Sequence, residues 1–374
     1  MQRTILFIFG TRPEAIKLCP LFLKLRSFPK LYSAKVCVTG QHRGMLDQVL
    51  AAFAITPDYD LNVMTPGQTL FQSTARILQA LERPFAELKP DLAVVQGDTT
   101  TTFCGALAAF YAGVPIAHVE AGLRTGDLRQ PFPEEVNRVL TGRVARLHFA
   151  ATSSAADNLR REGITENVWI TGNTGIDAVL HVRNRLEHGE LSTSGADFTR
   201  PGKRLILVTA HRRESFGEGF QRICQALAKI AERDDVHVVY PVHPNPNVQM
   251  AVRERLSSNP NITLTEPMDY VPFVDLMRRA YLILTDSGGI QEEGPSLGKP
   301  VLVLRDKTER PEAVEAGTVK LVGTDTSRIV RETTNLLDCP DEYERMSRIH
   351  NPYGDGHASE RIEAALREYW NTAG

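Results

Sequence analysis

The sequence predicts an α/β protein made of two doubly wound, Rossmann-like domains. The chain has 374 residues, which at roughly 150 residues per domain suggests two domains. Short apolar runs recur along it with helical segments between them, as in parallel sheets that are buried on both faces. These runs fall into two sets of about six, which favours two open sheets over one closed eight-stranded barrel.

The first domain is predicted at residues 1–188. Its apolar runs are short and flanked by polar or glycine-containing segments, which is typical of buried parallel strands. The predicted strands are 5–9, 35–39, 92–95, 116–119, 147–150 and 168–171. Residues 189–204 contain few apolar side chains and several helix breakers, so we expect this segment to be the linker.

The second domain is predicted at residues 205–374. Its strands are 205–209, 236–240, 262–265, 282–285, 301–304 and 319–322. One helix face between the first two strands is formed by apolar residues at spacings of 4, 3, 4 and 3, namely Phe216, Phe220, Ile223, Leu227 and Ile230. After a turn at 351–356, a last helix carries an apolar stripe and is expected to return towards the first domain.

Composition excludes several classes of protein. Lys plus Arg is 43 and Asp plus Glu is 45, so the formal charge of −2 gives no electrostatic reason to expect nucleic acid or an anionic membrane as a partner. The five cysteines are scattered and never form a C-x-x-C pair, as expected for free thiols in a reducing compartment. No apolar run approaches the roughly 18 residues of a membrane span, and none resembles a signal peptide. We therefore expect a soluble, cytoplasmic protein.

The first candidate binding element follows the first predicted strand. Thr11 and Glu14 have the spacing of a capping box, and Pro13 suits a first helical turn. A helix N-terminus presents free N–H groups and a partial positive charge, to which Arg12 and Lys17 add full charges. The segment therefore favours a phosphate, although a plain capped helix with exposed cations is an alternative.

The corresponding element of the second domain lies at 285–293. Two glycines, Gly288 and Gly289, allow close approach of an anion to the backbone, and Ser287 can cap the helix. Glu293 could reach ribose hydroxyls and Arg310 could meet a phosphate, or either could form a surface ion pair.

Sequence motifs for common cofactors and metals are absent. The chain contains neither G-x-G-x-x-G nor G-x-x-x-x-G-K-[ST], so dinucleotide binding and P-loop phosphate transfer are not expected. His237 and His243 flank a strand, but no Cys, Asp or Glu lies at metal-ligand spacing from them. We expect no metal and no cofactor.

Three further strand ends carry a carboxylate or a histidine, namely Asp98, Glu120 and His211. Two belong to the first domain and one to the second, so they could meet only across an interdomain cleft, a common ligand location. Glu134 adds a carboxylate at a helix start, where a helix-dipole role is also adequate. Together with the two phosphate-type turns, these residues predict an enzyme that acts on a small molecule containing a diphosphate.

These motifs resemble those of the bacterial non-hydrolysing UDP-N-acetylglucosamine 2-epimerases. The resemblance runs from residue 9 almost to the C-terminus, with its most specific segments at 10–17, 97–100, 118–127, 211–216, 286–295, 305–317 and 351–356. It implies a glycosyltransferase-B-like arrangement of the two domains, usually in a homodimer. It also implies reversible conversion of UDP-N-acetylglucosamine to UDP-N-acetylmannosamine, a precursor of surface polysaccharides, by elimination and re-addition of UDP through a 2-acetamidoglucal.

The resemblance implies roles for individual residues. Asp98, Glu120 and Glu134 would transfer protons, and His211 would act on the leaving diphosphate or relay a proton. The implied substrate-binding residues are Arg12, Lys17, Phe273, Ser287, Gly288, Gly289, Glu293 and Arg310. Of these, Phe273 would lie near the base, and Glu293 would bind the ribose. Met268 stands where relatives often have glutamine, so one polar contact to the uracil would be missing or come from the backbone.

A second, activating substrate site is also implied by the resemblance. The matching positions are Gln41, His42, Gln68, Arg212 and His243. Gly44 follows Arg43 where relatives often carry a longer polar side chain, which weakens the expectation of activation.

Three other functions compete with this one. A hydrolysing epimerase would release UDP and free N-acetylmannosamine. A retaining glycosyltransferase on the same scaffold would need an acceptor and would leave three clustered carboxylates without a role. A nucleotide-sugar sensor would have no activity to lose when Asp98 or Glu120 is replaced by an amide.

Overall fold

Two parallel β-sheets, of seven and six strands, form the framework of the chain. The computed structural model describes residues 1–40, 43–65, 67–193, 197–212 and 216–372. Helices follow nearly every strand and cover the sheets, as in doubly wound α/β folds. The predicted fold class, with its two Rossmann-like sheets, is confirmed.

The first sheet consists of β1 (Arg3–Phe9), β2 (Tyr32–Val38), β3 (Tyr59–Asp60), β4 (Leu92–Gln96), β5 (Ile116–Val119), β6 (Leu147–Ala150) and β7 (Val168–Ile170). Its spatial order is β3-β2-β1-β4-β5-β6-β7, and every described pairing is parallel. The two-residue strand β3 was not predicted, because two residues are too few to show a periodic pattern.

The second sheet consists of β8 (Arg204–Thr209), β9 (Val236–Pro241), β10 (Ile262–Thr265), β11 (Leu282–Thr285), β12 (Val301–Val303) and β13 (Val319–Leu321). Its order is β10-β9-β8-β11-β12-β13. The direction of strand addition reverses between β8 and β11, as it does between β1 and β4 in the first sheet. Ligands of open α/β sheets bind at such reversal points, beyond the carboxyl ends of the strands.

Fifteen helices are described between and after these strands. They are α1 (Arg12–Arg26), α2 (Arg43–Ala52), α3 (Leu70–Leu88), α4 (Thr100–Tyr111), α5 (Glu134–Val144), α6 (Ser153–Arg161), α7 (Thr174–Glu187), α8 (Glu218–Ile230), α9 (Pro246–Leu256), α10 (Tyr270–Arg279), α11 (Gly288–Ser296), α12 (Pro311–Ala316), α13 (Thr326–Asp338), α14 (Pro340–Ser347) and α15 (Ala358–Thr372).

The apolar stripes predicted on two of these helices face the core. In α8 the side chains of Phe220, Ile223, Leu227 and Ile230 are all buried, and Phe216 packs beside them from the preceding turn. In α15 the buried face includes residues 358, 362, 365 and 366. No helix of the described chain is both long and apolar enough to cross a membrane.

Contacts divide the chain into two units, Met1–Ala178 with Tyr353–Gly374, and Val179–Pro352. This division falls inside α7, whereas the sequence suggested a linker at 189–204. One reason is that the start of α7 is tied to α15, because the Asp177 carboxylate accepts hydrogen bonds from the backbone N–H groups of Ala358 and Ser359. Of the expected linker, residues 194–196 lie outside the described residues.

Candidate active site

In the first unit, candidate residues follow three adjacent strands. Strands β1, β4 and β5 are neighbours in the sheet, and their carboxyl ends lead into Gly10, Gly97 and Glu120 respectively. Parallel strands bring these ends to one edge, so the sequence-predicted clustering of polar residues follows from the strand order.

The turn after β1 contains the predicted capping box. Thr11 is the N-cap of α1 and accepts a hydrogen bond from the Glu14 backbone, while the Glu14 carboxylate accepts from the backbone N–H groups of Gly10 and Thr11 at 3.0 and 2.8 Å. The other carboxylate oxygen accepts from the hydroxyls of Thr99 and Thr102 at 2.7 and 3.0 Å. Glu14 therefore joins the starts of α1 and α4, and its complete burial raises the pKa of its carboxyl.

The two cations of this turn have different surroundings. Lys17 Nζ lies 2.5 Å from Glu120 Oε1, and both side chains are mostly buried. Arg12, in the first turn of α1, is partly exposed, and no described residue forms an ion pair with it. Arg12 is thus placed to meet an anion, whereas Lys17 neutralises a carboxylate of the sheet edge.

Glu120 is held in an unusual backbone conformation. Its φ of +61° lies in the left-handed region, which is unfavourable for a residue with a Cβ atom. The side chain contacts Lys17 through one oxygen and accepts a hydrogen bond from the Gln96 amide through the other. Residues with such strain concentrate at functional sites, where surrounding contacts hold them in place.

Asp98 lies beside this group and is paired with Arg138 of α5, whose Nη2 is 2.8 Å from Asp98 Oδ2. Burial raises the pKa of Asp98 to about 6, and the charges of Glu120 and Glu134 act in the same direction, while Arg138 and Lys17 oppose them. A carboxyl that titrates near neutral pH can both accept and donate a proton, which suits acid–base catalysis.

The turn that carries Asp98 is fixed by neighbouring elements. The side-chain amide of Asn137 donates to the Asp98 carbonyl at 2.9 Å. His118 Nε2 lies 2.8 Å from the Gly97 carbonyl, which can only accept, so this nitrogen carries the proton. Burial lowers the pKa of His118 to about 3, so the ring is neutral at pH 7. Glu134 begins α5 and is partly buried.

In the second unit, His211 and the glycine-rich turn follow the adjacent strands β8 and β11. The fully buried Asp286 connects them, since its Oδ2 accepts from the backbone N–H groups of His211 and Arg212 at 2.6 and 2.7 Å. Its Oδ1 lies 3.2 Å from His211 Nδ1. The His211 ring stacks on that of His243, with 5.2 Å between ring centroids.

The helix after β11 begins as the sequence indicates. Ser287 is the N-cap of α11, and Gly288 and Gly289 form its first turn. The Arg310 guanidinium is near this terminus, because a Cβ atom built on Gly288 would lie 3.8 Å from Arg310 Nη2. Arg310 also forms an ion pair with the buried Glu292. A helix N-terminus with an adjacent arginine is a suitable anion site.

Three further predicted residues of the second unit lie in α10 and α11 or next to them. Glu293 is partly buried in α11, and its carboxylate would lie 4.0 Å from a Cβ atom on Gly289. Phe273 lies in the first turn of α10 and is partly buried. Met268 precedes α10 and lines a cavity of about 440 Å³ together with Pro272 and Arg279.

The residues expected at a second substrate site are described only in part. Gln41 and His42 lie outside the described residues. Gln68 uses its side chain locally, donating to the Val63 carbonyl and accepting from the Thr65 backbone. Arg212 follows His211 in the chain, and the His243 ring stacks on that of His211. Substrate activation stays a prediction.

Several site residues were missed by sequence reasoning, namely Gln96, Arg138, Asp286 and Glu292. Each one contacts a predicted residue, and two of the four, Asp286 and Glu292, lie within the segment 285–293 described in the sequence analysis. The signal for Asp286 was its position at the end of a strand; for Arg138 no local pattern was available. Among the described residues, no group of three or more His, Cys, Asp or Glu side chains could hold a metal ion.

Fold and site together define a class of protein. It is the two-sheet, Rossmann-like α/β class with helix starts and carboxylates at the carboxyl ends of the strands. The family model described as UDP-N-acetylglucosamine 2-epimerase matches residues 26–367. The chain belongs to the UDP-N-acetylglucosamine 2-epimerase family.

Relatives and solved structures agree with this assignment. The chain is 58% identical to the UDP-N-acetylglucosamine 2-epimerase of Escherichia coli O157:H7, over 97% of this chain and 98% of the relative. The crystal structure of the Neisseria meningitidis enzyme bound to UDP-GlcNAc has a TM-score of 0.88 at 48% identity, covering 98% of this chain and 100% of that one. The Methanocaldococcus jannaschii enzyme in complex with UDP-GlcNAc and UDP has a TM-score of 0.75 at 34% identity, covering 98% and 99%.

Proposed function

We propose that this protein interconverts UDP-N-acetylglucosamine and UDP-N-acetylmannosamine without net hydrolysis. The family supplies the substrate class, because relatives of 58% identity carry the name UDP-N-acetylglucosamine 2-epimerase. The observation that carries the chemistry is the group at the edge of the first sheet, where Asp98, Glu120 and Lys17 are close and Asp98 titrates near neutral pH.

Inversion at carbon 2 requires that the carbon–hydrogen bond be broken. That hydrogen is not acidic, since no carbonyl is adjacent, and transient oxidation would need a nicotinamide whose fingerprint the sequence lacks. Elimination avoids both difficulties. A carboxylate removes the proton from carbon 2, a double bond forms between carbons 1 and 2, and the bonding pair of carbon 1 and oxygen leaves with UDP.

Re-addition completes the reaction. The β-phosphate oxygen of UDP attacks carbon 1 of the 2-acetamidoglucal, and a carboxylic acid protonates carbon 2 on the opposite face. The two faces require an acid and a base, for which Asp98, Glu120 and Glu134 are the candidates. The proton count balances, because one proton is taken from carbon 2 and one is returned to it.

The second unit is proposed to hold the nucleotide. The α11 terminus with Ser287, Gly288 and Gly289 would bind the diphosphate, with Arg310 beside it, and Arg12 of the first unit would add charge. Glu293 would bind the ribose, Phe273 would lie near the base, and His211 would stabilise the departing phosphate or relay a proton. Stabilised UDP is a better leaving group and is retained for re-addition.

Incubation of the purified protein with UDP-N-acetylglucosamine in deuterated water tests this proposal. Proton NMR should show both UDP sugars with deuterium at carbon 2 and no accumulation of free sugar. UDP with free N-acetylmannosamine as the only products would indicate the hydrolysing activity instead, and absence of both epimerisation and exchange would contradict an epimerase. Asp98→Asn is the matched variant and should slow the exchange by on the order of 10²-fold or more.

A homodimer is also proposed, with the groove between the C-terminal halves of α3 and α4 in contact with a second copy of the chain. The groove is mainly apolar, has a volume of about 890 Å³ and is lined by residues that include Leu78, Phe85 and Tyr111. Tyr111, which lines the groove, and the adjacent Phe110 are strongly exposed. Exposed apolar surfaces of this kind commonly mark subunit interfaces.

A further inference from the structure

Asp286 is a buried carboxylate that faces the side chain of His211. It is fully buried, and its own backbone N–H donates to the Thr209 carbonyl at 3.0 Å, which joins the ends of β8 and β11. The Thr209 and Thr285 hydroxyls lie 2.6 Å apart and strengthen the same connection. The carboxylate is therefore fixed relative to the segment that begins at His211.

The two carboxylate oxygens have separate partners. Oδ2 accepts from the N–H groups of residues 211 and 212, at 2.6 and 2.7 Å, and so fixes the backbone. Oδ1 lies 3.2 Å from His211 Nδ1, and no described residue gives it a hydrogen bond of good geometry. A carboxylate oxygen at this distance favours a proton, rather than a lone pair, on the ring nitrogen that faces it.

The His211 ring is itself held in orientation by a neighbouring ring. The His211 ring is parallel to the His243 ring within 5°, which restricts how far it can rotate. His243 Nδ1 accepts from the Asn245 backbone N–H at 3.1 Å, so this neighbour is also fixed in orientation. With its Nδ1 facing Asp286, the His211 ring presents Nε2 on the opposite side.

We propose that Asp286 is a positioning residue that keeps the proton of His211 on Nδ1 and leaves Nε2 to act on the departing diphosphate. This rests on the proposed function of His211. A neutral His211 presents Nε2 as an acceptor, and uptake of a proton there makes it a cationic donor to phosphate while the carboxylate stabilises the charge. The opposite tautomer would present an N–H that cannot accept a proton.

The variant Asp286→Asn separates the orientation of the His211 ring from the binding of the backbone N–H groups. The asparagine oxygen can still accept from the two N–H groups, but its amide group then faces Nδ1 as a donor and favours the Nε2–H tautomer. In ¹⁵N-histidine NMR spectra we expect the two ring nitrogens of His211 to exchange their protonated and unprotonated shifts. His211→Asn identifies the signals. An unchanged tautomer in Asp286→Asn would overturn the proposal.

Kinetics provide the second readout. Asp286→Asn should lower kcat by about tenfold or more while the Kd for UDP, measured by calorimetry, stays within about twofold, since the start of α11 and Arg310, which are proposed to hold the diphosphate, are not altered. In the His211→Asn background the same substitution should have little further effect on kcat. A full additional loss in that background, or an unchanged kcat in the single variant, would contradict positioning through His211.

Asp275→Asn is the matched control. Asp275 is also a buried aspartate of the second unit, but it pairs with Arg278 and Arg279 of its own helix. It should leave the His211 tautomer and kcat unchanged at temperatures where the variant is folded. If the unmodified protein shows no epimerisation, the proposed function fails, and the tautomer measurement still decides whether Asp286 orients His211.

Discussion

The acid–base character of Asp98 is determined by burial and by four charged neighbours. Burial is the largest influence and raises the pKa to about 6, while Arg138 is the strongest opposing charge. This net value already includes the carboxylates of Glu120 and Glu134, which act to raise the pKa, and Lys17, which acts to lower it. A change in any of these charges should therefore move the pH range in which Asp98 works.

Arg138→Met should move the acid limb of kcat/KM to higher pH. Removal of the cation destabilises the ionised form of Asp98 and raises its pKa by on the order of one unit. A larger fraction of the Asp98 carboxyl is then protonated at a given pH. The measurement is a pH profile from 5 to 9. Arg143→Met, on the same helix, removes a hydrogen bond to the Glu162 carbonyl and should leave the midpoint unchanged; an equal shift in both variants would refute the assignment.

Backbone strain at Glu120 gives a separate residue-scale prediction. With φ at +61°, glycine is the residue best suited to this position. Glu120→Gly and Glu120→Ala should both lose activity, because both remove the carboxylate. Urea denaturation should show the glycine variant to be more stable by about 1 kcal/mol, despite the greater chain entropy of glycine. A more stable alanine variant would mean that the conformation is not strained.

At the scale of elements, Glu14 couples two helix starts. Its carboxylate completes the capping box of α1 and accepts hydroxyl hydrogen bonds from the start of α4. The phosphate-type turn after β1 and the Asp98 turn after β4 are thereby connected through one buried side chain.

Glu14→Ala should lower the free energy of unfolding by about 2 kcal/mol or more, because it leaves the buried N–H groups of Gly10 and Thr11 without their acceptor and removes the link to the Thr99 and Thr102 hydroxyls. The same motif at α3, formed by Thr69 and Gln72, is exposed and provides a control. Gln72→Ala should cost less than about 1 kcal/mol. Urea denaturation of both variants measures the difference, and equal losses would show that Glu14 acts only as a local cap.

At the scale of elements, the sequence predicts the features that depend on residues close together in the chain. The capping box of Thr11 and Glu14, the glycine-rich start of α11 and most strands follow from local spacing. The contacts of Lys17 with Glu120 and of His211 with Asp286 could not be predicted, because each joins residues far apart in the chain. They depend on which strands are neighbours and in which register.

At the scale of the whole molecule, the two units have separate cores and separate strand-end sites. The first carries the carboxylates, and the second carries the helix start that is proposed to bind the diphosphate. The sequence analysis predicted these features in two domains, and the interdomain cleft between them stays a prediction.

Dimer formation through the groove of α3 and α4 is testable with two aromatic residues. Replacing both Phe110 and Tyr111 with serine should convert a dimer to a monomer in analytical ultracentrifugation, because it removes exposed apolar area from the proposed interface. Ile170→Ser changes an exposed apolar residue of β7 and should leave the dimer intact. A dimer that survives the double substitution would place the interface elsewhere.

In the proposed reaction, UDP leaves carbon 1 and returns to it during each inversion. UDP-N-acetylglucosamine labelled with ¹⁸O in the bond that joins carbon 1 to the β-phosphate tests this most directly, with ³¹P NMR as the readout. The β-phosphate of released UDP can rotate before re-addition. The label should therefore move from the bridging to the non-bridging oxygens of the β-phosphate while the two sugars equilibrate. Inversion at carbon 2 with all the label retained in the bridge would contradict it.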